Sequence, residues 1–510
     1  MISCDNYLNS WLVDVGDFVK VLYQLSNNAK INGVFLRQNP FDHIYGFIYP
    51  IGERRLRIPQ GDKEMFLSLQ QRLFYCPKEC ALSQSLPSNK KMKILFLPTY
   101  TSPERAASLY IADNRYEAFA QAGFDMLAYA PYPSRGLSDD EIQRIRKRSS
   151  ETLFDGKLII KRFSLRPERT SAKGRLFRYI VQNMKQYFWA KQKNNVEGVD
   201  MLFAASTPPL HGYMASLISK KHHIPFVYNV QDIFPDSLLG TGIIKGKGIL
   251  WRIGNWIENF TYRNADKIIV ISQDFKKNIM AKGVPEEKIE VIYNWVDEEA
   301  VVDVPREKNK LFDMYGLDRS KFYITYNGNI GLTQNMDMLL EVAKALEATE
   351  EIQFVLVGNG AYLEQVKQII KDRNVHNVTL LPFQPYEDIS HVFSLGDVSL
   401  VISKPGVGAN SVPSKTWSIM SASRPVLANF DENELKDIIE QNHCGIFTKA
   451  GDKVAFTDAI LKLYHNRELC REMGRNGRQF VMDNLTKKVG TQKYVDVLKS
   501  VYREFYHKDI

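Results

Sequence analysis

From Met92 onward, short runs of Ile, Val, Leu and Phe alternate with amphipathic stretches of helical spacing, and this rhythm constrains the fold more than any other feature. The runs lie at 93–97, 126–129, 158–160, 201–204, 226–228 and 267–271, with helical spacing at 108–122 and 248–264 among the stretches between them. Strands that are apolar almost throughout need cover on both faces, as in a parallel sheet sandwiched by helices. A charged segment at 298–310, holding Pro305, interrupts the rhythm and reads as a linker. It restarts at 322–326, 353–357, 378–381, 398–402 and 425–428. The pattern predicts an α/β chain of two doubly wound, Rossmann-like domains, 92–300 and 301–486, facing a cleft. The second should open its ligand crevice at the carboxyl ends of its strands.

Residues 1–91 do not share the rhythm. They hold strand-like runs at 33–36 and 45–49, a helical stretch at 63–74 and a Ser/Pro/Asn/Lys linker at 83–91, and read as an extension of unassigned role. Across the 510 residues, 44% apolar and 25% charged side chains are ordinary for a globular protein and exclude a disordered or collagen-like chain. Five scattered cysteines (Cys4, Cys76, Cys80, Cys444, Cys470) suggest free thiols in a reducing compartment. Cys76 and Cys80 lack the second pair a zinc site needs, so no metal is expected. No apolar run reaches the roughly 18 residues of a spanning helix, and 1–20 lacks the basic start and apolar core of a secretory signal. The expectation is a soluble chain or one lying on a membrane surface.

Several loops could carry chemistry. Gly328-Asn329-Ile330-Gly331 closes the first strand of the second domain, before a helix expected from Thr333 or Gln334. Glycines let backbone approach a ligand, and a helix N-terminus offers free N–H groups to a phosphate; a tight strand-to-helix turn is the alternative. Gly358-Asn359-Gly360 repeats the arrangement and taken alone reads as a turn. The most informative stretch runs from Ser403 through Asn410, Ser411, Val412, Pro413, Ser414 and Lys415 to Ser418 and Met420. A Gly- and Ser-rich loop opening a helix with Pro-Ser-Lys gathers amides, hydroxyls and an ammonium into a polyanion cradle. In the first domain, Asp232 and Asp236 leave a strand at the cleft edge as candidates for acid–base or electrostatic work. His211, His222 and His223 have no acidic partner at ligand spacing and read as structural. The chain has no Asp-x-Asp, which a metal-dependent nucleotide-sugar enzyme of the other common fold type would show.

In order and spacing, Lys93-Ile94-Leu95-Phe96, Ser102-Pro103-Glu104, Ser206-Thr207-Pro208-Pro209, the Asp232–Asp236 run, Ala265-Asp266-Lys267, Gly328–Gly331, Val412–Lys415 and Arg424-Pro425-Val426 resemble the family 4 retaining glycosyltransferases of GT-B fold. Bacterial capsule and O-antigen enzymes of the fucosamine-transferase-like group are the nearest in pattern, over 92–510. The resemblance implies a nucleoside-diphosphate sugar as substrate in the second domain, no cofactor, and an acceptor on the first domain near Glu104, Arg105 and Asp236. It also implies that a C-terminal helix near 487–506 crosses back onto the first domain. Donor contacts would fall on Gly328, Asn329, Gly331, Gln334, Phe383, Asn410, Ser411, Val412, Pro413, Ser414 and Ser418, with Lys415 and Asp232 as catalytic candidates. The chain departs from the pattern in places. The usual Glu-x7-Glu positions hold Asn410 and Ser418, the usual basic pair falls on Asn329 and Gln334, and the usual histidine falls near Gln231. Lys415 must then supply much of the cation. The substituted glutamates keep a second reading open, that of a non-catalytic nucleotide-sugar-binding partner of an active transferase.

Residues 157–193 carry eleven Lys or Arg against Glu168 alone, a surplus that exceeds the +9 of the whole chain. From Arg175 to Trp189 the apolar Leu176, Phe177, Ile180, Val181, Met184, Tyr187 and Phe188 share one helical arc, with Arg175, Arg178, Lys185 and Trp189 opposite. The reading is a helix whose apolar arc covers the sheet and whose basic face meets an anionic membrane. With the resemblance, this implies a cytoplasmic protein, peripheral on the inner face of the cell membrane, that takes a lipid-linked saccharide acceptor and no nucleic acid.

Overall fold

The computed structural model describes residues 91–104, 109–166, 172–208, 210–236, 246, 248–408 and 412–508. The extension below Lys91, with Cys4, Cys76 and Cys80, lies outside them, as do Arg105, Asn410 and Ser411. The first sheet is built from β1 (Lys93–Phe96), β2 (Asp125–Pro131), β3 (Ser150–Leu153), β4 (Leu158–Phe163), β5 (Met201–Ala205), β6 (Phe226–Val230), β7 (Lys267–Val270) and β8 (Ile289–Val291). Their order is β3-β4-β2-β1-β5-β6-β7-β8, parallel throughout except β3 against β4. The second sheet holds β9 (Phe322–Asn327), β10 (Ile352–Val357), β11 (Val378–Leu381), β12 (Val398–Ile402), β13 (Val426–Phe430) and β14 (Gly445–Lys449). It is wholly parallel, in the order β11-β10-β9-β12-β13-β14. Each apolar run picked out from residue 93 onward is a strand, and the runs at 33–36 and 45–49 lie outside the described residues.

Side-chain alternation splits the first domain into two cores. From β1, Ile94 and Phe96 point into one, and Leu95 into the other with Leu97 just beyond the strand. The Lys487–Tyr506 helix covers the first of these. Its Tyr494, Val495, Leu498, Val501 and Tyr502 are buried beside Phe96, Phe203 and Trp295. A Cβ on Gly490 would lie 2.3 Å from the Trp295 ring, so only glycine lets this helix come so close.

Strand order reverses between β1 and β5 in the first sheet and between β9 and β12 in the second, and the open crevice of a doubly wound sheet lies at such a reversal. The two domains touch beside the cleft, where two helices meet at their N-termini. The Glu434 carboxylate accepts from Gln273 N (2.8 Å) at the start of the Gln273–Ala281 helix, and Asp274 accepts from Glu434 N (2.8 Å) at the start of the Glu434–Gln441 helix. Each helix places an acid on the other's exposed N–H groups. Tyr293 hydrogen-bonds the other Glu434 oxygen.

The Ala172–Ala190 helix corrects one expectation: most of its apolar arc faces outward, and only part of it, Tyr187 among it, packs on the core. Arg178, Gln182, Asn183 and Gln186 are buried, while Phe177, Ile180, Met184 and Phe188 are exposed. The reason lies in what the helix covers. Its inner face meets strand-end and loop carbonyls, which need donors rather than methyl groups. Gln186 Nε2 donates to Pro98 O and Tyr129 O (both 3.0 Å), Gln182 Nε2 to Pro98 O (3.3 Å) and Arg178 Nε to Arg166 O (3.3 Å). The outward face is therefore the apolar one. Lys185 at its margin donates to Ser164 O, and the Trp189 ring stacks on Tyr129 at 4.1 Å.

Candidate active site

The second crevice is built from three loops that leave β9, β10 and β12. The β9 loop begins at Gly328, whose φ of +131° few side chains tolerate. A Cβ on Gly358 of the β10 loop would fall 1.9 Å from Gly328 O, and one on Gly360 would fall 2.2 Å from Ile330 O. The Gly358-Asn359-Gly360 turn is thus a backbone buttress under the first glycine loop, fastened by Ile330 N to Asn359 O and Tyr362 N to Ile330 O (2.9 Å each). From β12, Lys404 N donates to Thr333 O (2.8 Å) and ties the third loop in. Ser403, at the end of β12, is buried, and its Oγ has no hydrogen-bond partner among the described residues.

Lys415 opens the Lys415–Ser421 helix and reaches back under the glycine loop. Its side chain is 4% exposed, and its Nζ stands 2.9 Å from Tyr326 Oη and 4.1 Å from the centroid of that ring. The same Nζ lies 3.6 Å from where a Gly328 Cβ would be. An ammonium is therefore held at the carboxyl end of β9, in the crevice. Gly331 N–H is occupied by Gln334 Oε1 (3.0 Å), so a phosphate using that N–H must displace a side chain. The helix after this loop is Met336–Ala345, starting beyond Gln334. Ser414 is the N-cap of the Lys415–Ser421 helix and Pro413 is buried beside it; Val412 packs on the core under β13. Ser418 is fully buried, turned into the domain. Phe383, half-exposed after β11, presents a ring at the sheet edge that could stack on a base.

On the first domain, Asp232 follows β6 and is 6% exposed, with its N–H directed to Ser206 Oγ (3.3 Å) at the end of β5. The adjoining Gln231 is gripped from both sides. Its Nε2 donates to Asn229 Oδ1 (3.0 Å) and its Oε1 accepts from Asn294 (2.9 Å). Tyr494 of the crossing helix donates to the same Asn229 oxygen (3.0 Å). Two residues expected on the acceptor side brace loops instead. Glu104 is buried and accepts from Thr101 N (2.9 Å), Ser134 N (3.0 Å) and Arg135 N (3.2 Å), with burial raising its pKa. Asp236 is bound to Lys282 (2.7 Å), Trp251 Nε1 (3.2 Å) and Asn278 Nδ2 (3.4 Å). Both carboxylates are already filled by their own domain.

Glu258, which sequence reasoning passed over, is fully buried behind β6, and Tyr228 Oη donates to it (3.4 Å). Burial pushes its carboxyl up to about 8. His211 is also buried, its Nδ1 on Ala205 O (3.1 Å), and burial lowers its pKa to about 4. Among the described residues no three His, Cys, Asp or Glu side chains gather into a metal-holding group. Cys444 and Cys470 are free, buried thiols. No described helix is long and apolar enough to cross a membrane.

Residues 113–300 match the family model of Glycosyltransferase Family 4, and residues 307–480 match that of Glycosyl transferases group 1. WbjE of Pseudomonas aeruginosa, named a probable glycosyltransferase, is 24% identical over 337 residues, 64% of this chain and 82% of that protein. WcaI of Escherichia coli, provisionally named a colanic acid biosynthesis glycosyl transferase, is 29% identical over 212 residues, 40% of this chain and 51% of that protein. Among solved structures, HepE of Anabaena in complex with UDP-glucose superposes with a TM-score of 0.56 at 18% identity, covering 80% of this chain and all of that one.

Proposed function

Starting from a glycosyltransferase of the GT-B type, which the two matched domains and the fold make this chain, we propose that it moves a sugar with retention from a nucleoside-diphosphate sugar to a hydroxyl acceptor. The acceptor is a lipid-linked saccharide of bacterial cell-surface polysaccharide synthesis, in the making of capsule or O-antigen. The observation that carries the reading is the buried Lys415 ammonium at the β9–β12 reversal, under a glycine loop that keeps backbone close and side chains away. The complex of HepE with UDP-glucose supports a donor of this class.

In the reaction, negative charge grows on the departing diphosphate. Lys415, with amides around Gly331 and Ser414, meets that charge without a metal. Because the Lys415 ammonium is already held by Tyr326, it needs little reorganisation as the bond breaks. Asp232, in the first domain, orients the acceptor hydroxyl or steadies the positive sugar centre.

Membrane contact is proposed through the outward stripe of Phe177, Ile180, Met184 and Phe188 rather than through a basic face. Lys185 lines the same surface groove as Ile180, Met184 and Phe188, while Lys161 and Lys191 lie over the neighbouring Trp189 and Tyr187 rings; an apolar surface bordered by lysines suits an anionic bilayer. A second outward stripe, Ile249, Ile253 and Trp256, lies on the Ile249–Asn264 helix. The Leu210–His222 helix packs against both stripe-bearing helices, so the stripes share one face of the sheet. Such a surface on the inner face of the cell membrane brings a lipid-linked acceptor to the cleft.

The test is incubation of the purified chain with UDP-, GDP- and dTDP-sugars and lipid-linked acceptors. Transfer with an unchanged anomeric configuration is expected; transfer with inversion would overturn the retaining mechanism. The occupied Gly331 N–H and the buried Ser418 favour one other reading, a nucleotide-sugar-binding partner without activity. Tight donor binding with neither transfer nor slow donor hydrolysis would establish that one instead.

A further inference from the structure

We infer that Tyr326 is the positioning residue that holds the Lys415 ammonium for the donor diphosphate; the inference rests on the donor-site reading above. Tyr326 is the fifth residue of β9, fully buried, in a row where Phe322 and Ile324 face the same core. A hydroxyl in that row needs polar partners, and two of them bear on the site. Its hydrogen goes to Asn329 O, 2.6 Å away in the glycine loop. Its lone pairs are then what faces Lys415 Nζ at 2.9 Å. The ammonium also lies over the ring, 4.1 Å from the centroid, where the electron-rich face attracts a cation.

One tyrosine therefore sets two things together, the place of the charge and the shape of the loop beside it. Lysine ends in a compact charge on a flexible stem, and ordering that stem costs rotamer entropy. A carboxylate could fix the stem too, but it would cancel the charge. A phenol fixes the ammonium without cancelling its charge. This is the ordering a transition-state-stabilising cation requires.

The experiment measures binding of UDP, GDP and dTDP, each against its own nucleoside, so that the diphosphate contribution is read whichever base the site takes. The proteins are the full chain, Tyr326→Phe, Tyr326→Leu, Lys415→Met and the double variant Tyr326→Phe/Lys415→Met, each with its Tm. Phenylalanine keeps the buried ring, so the chain should stay folded, with Tm lowered by the few degrees that losing one buried hydroxyl costs, and nucleoside affinity should stay at the wild-type value. Diphosphate affinity should fall about tenfold in Tyr326→Phe, the scale of one hydrogen bond to a charged group, and further in Tyr326→Leu. In the Lys415→Met background the same Phe substitution should have no added effect. Wild-type or tighter diphosphate binding by Tyr326→Phe would overturn the inference, as would a full additional loss in the double variant. Failure of the donor reading looks different: no preference for diphosphate over nucleoside in the wild-type chain, or none lost in Lys415→Met.

Discussion

At the scale of single residues, the candidate site depends on charges that are buried with specific partners. Lys415 is the clearest case, and Lys415→Ala should lower turnover about 100- to 1000-fold, the effect of losing one transition-state donor. The donor KM should move far less, because the ammonium counts most where the diphosphate charge is largest. Steady-state kinetics on the active donor would check this, and a wild-type rate would remove Lys415 from the mechanism. Glu258 supports a prediction in pH. Its carboxyl titrates near 8 in the fold, against about 4.5 for the ordinary group, so between those values the folded chain holds a proton that the unfolded chain has released. Its contribution to stability is complete below about pH 4.5, declines as pH rises through that window and is gone above about 8. One proton corresponds to a slope of up to about 1.4 kcal/mol per pH unit. Glu258→Gln should flatten that slope, as read by denaturant unfolding at pH 5, 6.5 and 8. Parallel curves for the two proteins would mean that Glu258 is ionised in the fold.

At the scale of elements, what could be read from the sequence depended on burial. The central strands show as apolar runs because helices cover both their faces. The three strands that did not show, β3, β8 and β14, are all at sheet edges. β3 is Ser-Glu-Thr-Leu with little burial, β8 has three residues, and β14 begins with Gly445 and ends with Lys449. Such strands face water on one side and carry no continuous apolar run. The glycine loops and the Pro-Ser-Lys turn were legible because turns and close backbone approach demand particular residues. The Tyr326–Lys415 contact was not, since it joins residues 89 apart. The Ala172–Ala190 helix was misjudged because periodicity shows that two faces differ and not which one is inside. Strand-end carbonyls decided that. Its outward stripe predicts that Phe177→Ser with Phe188→Ser leaves Tm nearly unchanged and strongly reduces co-sedimentation with anionic vesicles. Removing two exposed aromatic rings should cost several-fold or more in partitioning. Unaltered binding would place any membrane contact elsewhere.

At the scale of the whole molecule, β1 begins at Lys93 in the middle of its sheet, and Met92 is already fully buried. A chain starting at Met92 should therefore fold and keep donor turnover, judged by Tm and by kinetics beside the full chain. An insoluble or inactive product would show that the first 91 residues complete the transferase. The crossing helix carries a consequence of a different kind, one of timing. Tyr494, Val495, Leu498, Val501 and Tyr502 belong to the core of the first domain, yet the ribosome makes them after every strand of the second. Large apolar side chains are each worth about 1.5–3 kcal/mol on burial, so the first sheet must wait with one face only partly covered, by the Leu109–Gln121 helix, while some 190 further residues emerge. During synthesis the second domain can close its own core before the first does. The domain begun earlier is finished later, and a chain halted shortly before this helix would compromise the domain at the other end of the molecule.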